Sequence, residues 1–152
     1  HYGHLYGPAA EEMGAYFAAL RELLVEAGPC TGHYDLSWTE RATDRLLRPA
    51  LEALGRARAP AATGEKRHWE AVQRAWVGLE LLLRMGEWRR LVRDAAAEPE
   101  VRRPSLRRRA VQAAHELLEF ARAQADSGAV EVGRYERVVG GWLTEEQRRS
   151  EA

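Results

Sequence analysis

The longest regular pattern of apolar and polar residues runs from Glu65 to about Ala97 and predicts the central helix of the chain. Along EKRHWEAVQRAWVGLELLLRMGEWRRLVRDAAA, apolar residues recur at alternating steps of three and four, at Trp69, Val72, Trp76, Leu79 and Leu83. This spacing places them on one face of an α-helix. From Leu79 to Met85 the apolar stripe widens. A helix that is apolar around most of its circumference belongs inside other helices.

Two glycines, Gly78 and Gly86, interrupt this predicted helix. Each costs about 1 kcal/mol of helix propensity relative to alanine. Such a glycine is tolerated where a neighbouring helix must approach closely. At Gly86 a bend in the helix is the alternative interpretation.

Three further helices are predicted by apolar residues at the same spacing. They run from Pro8 to about Ala27, from Ser37 to about Ala59, and from Ser105 to a stop before Gly128. Proline suits a first helical turn because its missing N–H has no partner there. Ser37 followed by Glu40 is a capping-box pattern. Pro49 lies inside the second helix and predicts a kink or a break into two short helices.

The remaining segment, Ala129 to Ala152, has a weaker pattern. It predicts a short helix from Val132 to Val139, a break at Gly140-Gly141 and a final turn capped by Thr144. No alternating apolar pattern is long enough to predict a strand. We therefore predict an all-α fold, an antiparallel helical bundle of four main helices plus a short C-terminal helix.

The composition is that of one globular domain. The chain has 152 residues, of which 45% are hydrophobic and 30% charged, so residues 1–152 are expected to form a single helical domain. It opens at His1 without a methionine, which favours a piece of a longer protein. Residues 1–7 are then expected to be a segment that arrives from an upstream domain.

The charge balance and the lengths of the apolar runs restrict the classes of partner that are expected. Lys+Arg and Asp+Glu both number 23, which argues against a nucleic-acid partner, because such binders usually carry a basic excess. The arginine run Arg102–Arg109 is interpreted as a solvated or interface-pairing surface. No run approaches the roughly 18 apolar residues that span a bilayer, so no membrane partner is expected. The single Cys30 excludes an internal disulfide.

The five histidines do not have the spacing of a metal site. His1 and His4 lie three residues apart, and no pair resembles HExxH, so neither a metal nor another cofactor is expected. Cys30 with His33 is weak support for a nucleophile and base. His68 and His115 are interpreted as residues of a helix boundary or core edge, and no catalytic residue is predicted.

The five tryptophans suggest a carbohydrate-binding platform as one hypothesis, because aromatic faces stack on sugar rings. Trp69 and Trp76, however, lie on the core stripe of the central helix, and core packing accounts for both. Trp88 lies among Glu87, Arg89 and Arg90. It is therefore the tryptophan expected to be exposed or at an interface.

The segment LYGPAAEEMGAYFAALRELL near the N-terminus resembles a known family. Its characteristic positions are Tyr6, Gly7, Pro8, Ala9, Ala10, Met13 and Tyr16. They are similar to a segment that follows the catalytic barrel in an uncharacterised bacterial glycoside-hydrolase-like family. The barrel of that family is similar to those of alpha-glucuronidases and beta-hexosaminidases. The stretch RAWVGLELLLRM also resembles the helical region of that family.

The resemblance implies a non-catalytic helical accessory domain that packs against an upstream catalytic barrel of the same polypeptide. Carbohydrate would be reached only through the parent enzyme, and the location would be extracellular or periplasmic. Candidate domain-interface residues are Tyr2, Leu5, Tyr6 and Trp88, the first three in an exposed apolar patch. One alternative is an independent helical protein–protein interaction module. A small bundle enzyme or ligand-binding protein is less favoured, because few polar residues lie on the core faces.

Overall fold

The structure, a computed structural model, describes residues 2–26 and 37–151, and every regular element in these ranges is helical. The α-helices there are α1 (Tyr2–Tyr6), α2 (Ala10–Glu26), α3 (Asp44–Ala62), α4 (Lys66–Ala97), α5 (Arg103–Ala123), α6 (Val132–Tyr135) and α7 (Gly141–Glu151). Three 3-10 turns, Gly7–Ala9, Ser37–Arg41 and Ala125–Ser127, and a π-helical turn, Glu136–Gly140, lie between them. The all-α prediction is confirmed.

The central helix α4 connects two hydrophobic clusters formed by the described residues. Its 32 residues extend about 48 Å at 1.5 Å per residue. The first cluster joins α1, α2 and α3 to the N-terminal half of α4. The second joins α5 and the C-terminal elements to the other half. The packing is thus divided along α4, and the antiparallel arrangement of four helices stays a prediction.

The two clusters meet where opposite faces of α4 are both buried. Val77 belongs to the second cluster and Leu79 to the first. Residues two positions apart are separated by about 200° around a helix, so these two side chains point in opposite directions. The widening of the apolar stripe after Leu79 therefore reflects a helix that is covered on two sides.

Small residues allow α3 to lie close to its neighbours. The inward face of α3 carries Ala50, Ala53, Ala57 and Ala61, all of them buried. Because alanine adds little bulk beyond the backbone, the larger Leu47 and Leu54 fill the space around them. This face packs against both α2 and α4.

The predicted start of the second helix is wrong by several residues. The segment from Ser37 forms a 3-10 turn, and α3 begins only after Thr43, whose Oγ1 accepts the backbone N–H of Leu46 at 3.3 Å. The predicted break at Pro49 is absent, since α3 continues through it. Pro49 lies on an exposed face, where water can reach the carbonyl that its missing N–H leaves without a partner.

Two predicted features of the C-terminal half also differ. Ser105 does not cap α5 with its side chain; its hydroxyl donates to the carbonyl oxygen of Arg102 at 2.9 Å. The expected break at Gly140-Gly141 is absent because the π-helical turn runs directly into α7. Thr144 lies within α7, and its hydroxyl donates to the carbonyl oxygen of Gly140 at 3.0 Å.

Gly86 is the point where the Ser37–Arg41 turn approaches α4. A Cβ added there would overlap the carbonyl oxygen of Thr39 and lie 2.8 Å from that of Ala42. One turn further on, Nη1 of Arg90 donates to the carbonyl oxygens of Glu40 and Ala42, both at 2.8 Å. The glycine thus permits close backbone approach rather than a bend.

We expect Gly86→Ala to lower the free energy of unfolding by about 2 to 3 kcal/mol, because rigid backbone oxygens oppose the new methyl group. Gly55 is the matched control, since a Cβ there meets no described atom within 4 Å. Gly55→Ala should raise the free energy of unfolding by up to about 1 kcal/mol through helix propensity. Urea unfolding measures both, and equal effects would contradict the close approach.

Candidate interaction surface

The N-terminal segment is an ordered helix that packs on the rest of the chain. Tyr6 is buried, with 6% exposure, and belongs to the first cluster. The ring of Tyr2 stacks on Phe17 with centroids 5.4 Å apart and planes 5° from parallel. Tyr6 approaches the same Phe17 ring at 6.0 Å. Three aromatic rings thus attach α1 to α2.

The turn after α1 is fixed by a glycine and a histidine. Gly7 has φ +51°, and a Cβ there would overlap the ring of His68. His68 is buried at the start of α4, where its Nδ1 accepts the backbone N–H of Glu65 at 3.2 Å. The Glu65 side chain accepts the backbone N–H of His68 in return. His68 is therefore a helix-boundary residue, as predicted from the sequence.

The outer side of α1 and α2 exposes several apolar residues, with Arg21 and Glu22 beside them on α2. Tyr2 is 41% exposed and Leu5 50%, and Val25 on α2 is more exposed still. We call Tyr2, Leu5, Phe17 and Val25 the N-terminal apolar surface. Two shallow concavities, each of about 630 Å³, adjoin the Tyr2 ring, one toward Leu5 and the other toward Val25.

The four candidate interface residues therefore have different positions. Tyr2 and Leu5 lie on the N-terminal apolar surface, whereas Tyr6 is turned inward beneath it. The expectation that Tyr6 is exposed is wrong, because α1 is helical and adjacent residues point in different directions. Trp88 lies in the second cluster, remote from this surface along α4.

The prediction that Trp88 is exposed is also wrong. Its side chain is 4% exposed and meets Trp142 edge to face, with ring centroids 5.7 Å apart. Its Nε1–H is buried without a hydrogen-bond acceptor among the described residues. Charged neighbours in sequence do not determine its environment, because the helix turns Trp88 onto the face of Leu81 and Met85. Trp88 is not available as an interface residue on this surface.

The other two tryptophans of α4 are core residues with one partly accessible side. Trp69 and Trp76 are half-buried and pack against the first cluster. The guanidinium of Arg58 lies 5.9 Å and 5.4 Å from their ring centroids. Arginine thus covers both rings through cation–π contacts. They do not form an open platform for a sugar ring.

A polar groove of about 580 Å³ runs beside α4, toward the starts of α3 and α5. Much of its charge is already matched: Glu80 pairs with Arg84 at 2.8 Å, and Asp94 pairs with Arg93 at 2.9 Å. Arg90, also in its lining, donates to backbone carbonyls. These contacts stabilise the fold, and the groove has no acid–base pair of evident catalytic geometry among the described residues.

The candidate metal and catalytic residues that the structure describes do not converge. In residues 2–26 and 37–151, no three His, Cys, Asp or Glu side chains could hold a metal ion together. His4 and His115 are both exposed on separate helices. His1, Cys30 and His33 lie outside the described residues, so the structure does not bear on the weak support for Cys30 and His33 as a nucleophile and base.

The pKa shifts near this surface belong to tyrosines. Burial raises the pKa of Tyr16 to about 12, and the nearby Tyr6 adds to this shift. Burial also raises the pKa of Tyr6. Tyr16 donates its hydroxyl to the carbonyl oxygen of Ala75 at 3.4 Å, which links α2 to α4. These phenols are therefore neutral structural groups at physiological pH.

The chain is thus an all-α protein with an exposed apolar surface on its first two helices. No family model, curated protein or solved structure matches it. None of the described helices has the length and apolar character required to cross a membrane. A functional interpretation therefore depends on the residues of the surface and on the resemblance of the segment Tyr6–Tyr16.

Gly7→Ala should lower the free energy of unfolding by about 2 to 4 kcal/mol, because the new methyl group meets both an unfavourable φ and the His68 ring. Gly3→Ala is the control within α1, where a Cβ meets no described atom within 4 Å. That variant should be neutral or slightly stabilising. Thermal unfolding followed by circular dichroism measures both. A Gly7→Ala protein as stable as the wild type would contradict the packing of this turn.

Alkaline pH should destabilise the protein in the window set by Tyr16. Its folded-state pKa, about 12, lies above its ordinary value of 10.0, so the unfolded chain loses the proton first. Stability is then constant below about pH 10 and falls as pH rises toward 12, by roughly 2 to 3 kcal/mol from this group. Urea unfolding from pH 9 to 12 should show a smaller fall for Tyr16→Phe. An identical fall in the two proteins would exclude Tyr16 as the cause.

Proposed function

We propose that the chain is a non-catalytic helical accessory domain of a glycoside-hydrolase-like carbohydrate-processing protein. In this proposal it packs against a catalytic barrel of the same polypeptide through the N-terminal apolar surface. The observation that carries the proposal is the exposure of Tyr2 and Leu5 on a helix that is otherwise fixed. Tyr6 and the Gly7–His68 contact hold that helix from beneath.

The chemistry of the surface supports a protein partner. Aromatic residues are enriched at protein interfaces, and a contiguous exposed apolar patch often marks an interaction site. Here Tyr2 is already oriented by stacking on Phe17, so little conformational entropy is lost when a partner covers it. Burial of a large apolar side chain contributes about 1.5 to 3 kcal/mol. Because Tyr2 is 41% and Leu5 50% exposed, about half of that contribution remains for a partner to supply at each residue.

The resemblance supports the identity of the partner. In the family that the segment Tyr6–Tyr16 resembles, this segment follows the catalytic barrel. The same segment here forms the turn after α1 and the first half of α2. The exposed Tyr2 and Leu5 are therefore built on the part of the domain that would lie nearest a barrel. Contact with carbohydrate would arise only where the domain borders the substrate cleft of the parent enzyme.

The internal charge pairing supports a role without catalysis of its own. In the polar groove beside α4, Glu80 and Arg84 form an ion pair, and Arg90 is bound to backbone oxygens. A catalytic acid or base instead needs a side chain within reach of a substrate atom. Glu80 and Arg84 pair within α4, and Arg90 links α4 to the turn before α3.

The alternative function is an independent helical interaction module. Val25 favours it, because this exposed residue extends the apolar surface along α2, away from α1. The concavity between Tyr2 and Val25 follows α2, with Gly14 and Ala18 in its lining. A partner helix of a separate protein could lie along such a surface. The two functions differ in whether the partner is in the same polypeptide.

The proposal is tested in the full polypeptide that contains this chain, by calorimetry of the wild type and of the double variant Tyr2→Ser, Leu5→Ser. We expect the barrel and the helical domain to unfold in one coupled transition in the wild type. The double variant should separate them or lower the barrel Tm by several degrees, because about 2 kcal/mol of interdomain burial is removed. Hydrolysis of oligosaccharides gives the parallel readout of any effect on the cleft.

The matched control is Leu46→Ser on α3. Leu46 is 44% exposed, close to the value of Leu5, but it lies outside the N-terminal apolar surface. This variant should leave the coupled transition unchanged. An upstream sequence without a barrel, or equal effects of the two sets of substitutions, would refute the accessory-domain proposal. Loss of binding to a separate purified protein in the double variant alone would establish the alternative module instead.

A further inference from the structure

A small apolar pocket of about 270 Å³ lies in the second half of the molecule, away from the N-terminal apolar surface. Four elements bound it: α4, the end of α6, the π-helical turn that follows α6, and the Ser37–Arg41 turn. Its apolar lining consists of Gly78, Leu81, Leu82, Met85, Tyr135 and Val138. Thr39 and Arg134 complete the lining.

The described residues leave open space around Gly78. A Cβ built there meets no described atom within 4 Å, in contrast to Gly86, where one would overlap a backbone oxygen. Glycine in the middle of a helix costs about 1 kcal/mol relative to alanine. Among the described residues, no close approach compensates for that cost at Gly78. The effect of the missing side chain is to leave this part of the pocket open.

The π-helical turn is a second, independent feature of the same pocket. Such turns are rare, and they occur frequently at functional sites. The turn Glu136–Gly140 follows Tyr135 directly and contains Val138, and both residues line the pocket. Its next residue, Val139, is fully buried in the second cluster, whereas Val138 is exposed at the pocket. The turn thus anchors the wall through Val139 and presents Val138 to the opening.

We infer that this pocket is a binding site for a small, uncharged, apolar molecule about the size of one aromatic ring. A dry apolar cavity of roughly 150 Å³ is sufficient for benzene, and pockets for drug-sized ligands begin near 300 Å³. At about 270 Å³ the pocket accommodates one ring with a short substituent but not a helix. The leucine, methionine and valine side chains of the lining favour an apolar ligand, and Arg134 is the one charged residue among the described residues at the pocket. This function is separate from docking to a barrel.

Benzene is the probe for the test. In the isotopically labelled protein, we expect saturable nuclear Overhauser effects from benzene to the methyl groups of Leu81, Leu82 and Met85. At free benzene tenfold above its Kd, the ratio of folded to unfolded protein should rise about elevenfold, which thermal unfolding detects as a higher Tm. Gly78→Leu places a side chain in the pocket and should abolish both signals.

The matched control is Gly55→Leu, the same substitution in α3 at another glycine with open space around it. It should bind benzene as the wild type does. Absence of saturable binding to the wild type would overturn the inference, including the case in which the pocket receives only a side chain of a partner protein. Contacts of benzene with Leu5 and Phe17 instead, or undiminished binding by Gly78→Leu, would also overturn it. If Gly78→Leu does not fold, the nuclear Overhauser effects from benzene to Leu81, Leu82 and Met85 in the wild type decide whether the pocket binds it.

Discussion

The fold depends on a single helix that must be buried on two sides. One neighbouring helix cannot cover the whole circumference of α4, and its apolar residues exceed a single stripe. The protein resolves this by covering the first half of α4 with α1, α2 and α3 and the second half with α5 and the C-terminal elements. Val77 and Leu79, two residues apart, belong to different clusters for this reason.

The sequence was sufficient for the position of α4 because its pattern is long and strongly periodic. Predicted from Glu65 to about Ala97, it extends from Lys66 to Ala97. The prediction for Trp88 is wrong because it rests on the charged sequence neighbours and not on the helical phase of the residue. The correct signal was present, since Leu81, Met85 and Trp88 follow one another at steps of four and three and are all buried. Phase is the better guide inside a helix because sequence neighbours point in different directions.

Features decided by distant contacts could not be predicted in this way. Gly78 and Gly86 are equivalent in the sequence pattern, but only Gly86 faces a backbone segment, Thr39 to Ala42, more than forty residues away. At the pair Gly140-Gly141, distant contacts instead preserve a helix that the local sequence predicts to break. Two glycines cost about 2 kcal/mol of propensity at most, and burial of Val139 and packing of Trp142 in the second cluster hold the helix together across them. Tertiary burial thus overrides a local breaker whose cost is modest.

The N-terminal helix α1 illustrates why exposed apolar residues on an ordered element are informative. A helix of five residues is unstable alone, so α1 exists because Tyr6 and the Phe17 contacts bind it to the domain. Those contacts use only its inner side and leave Leu5 and much of Tyr2 in water. A partner could therefore cover the outer side without any rearrangement of the first cluster. Because the turn at Gly7 and His68 is fixed beneath it, a partner bound at Tyr2 and Leu5 would be held rigidly against α4 and the rest of the domain.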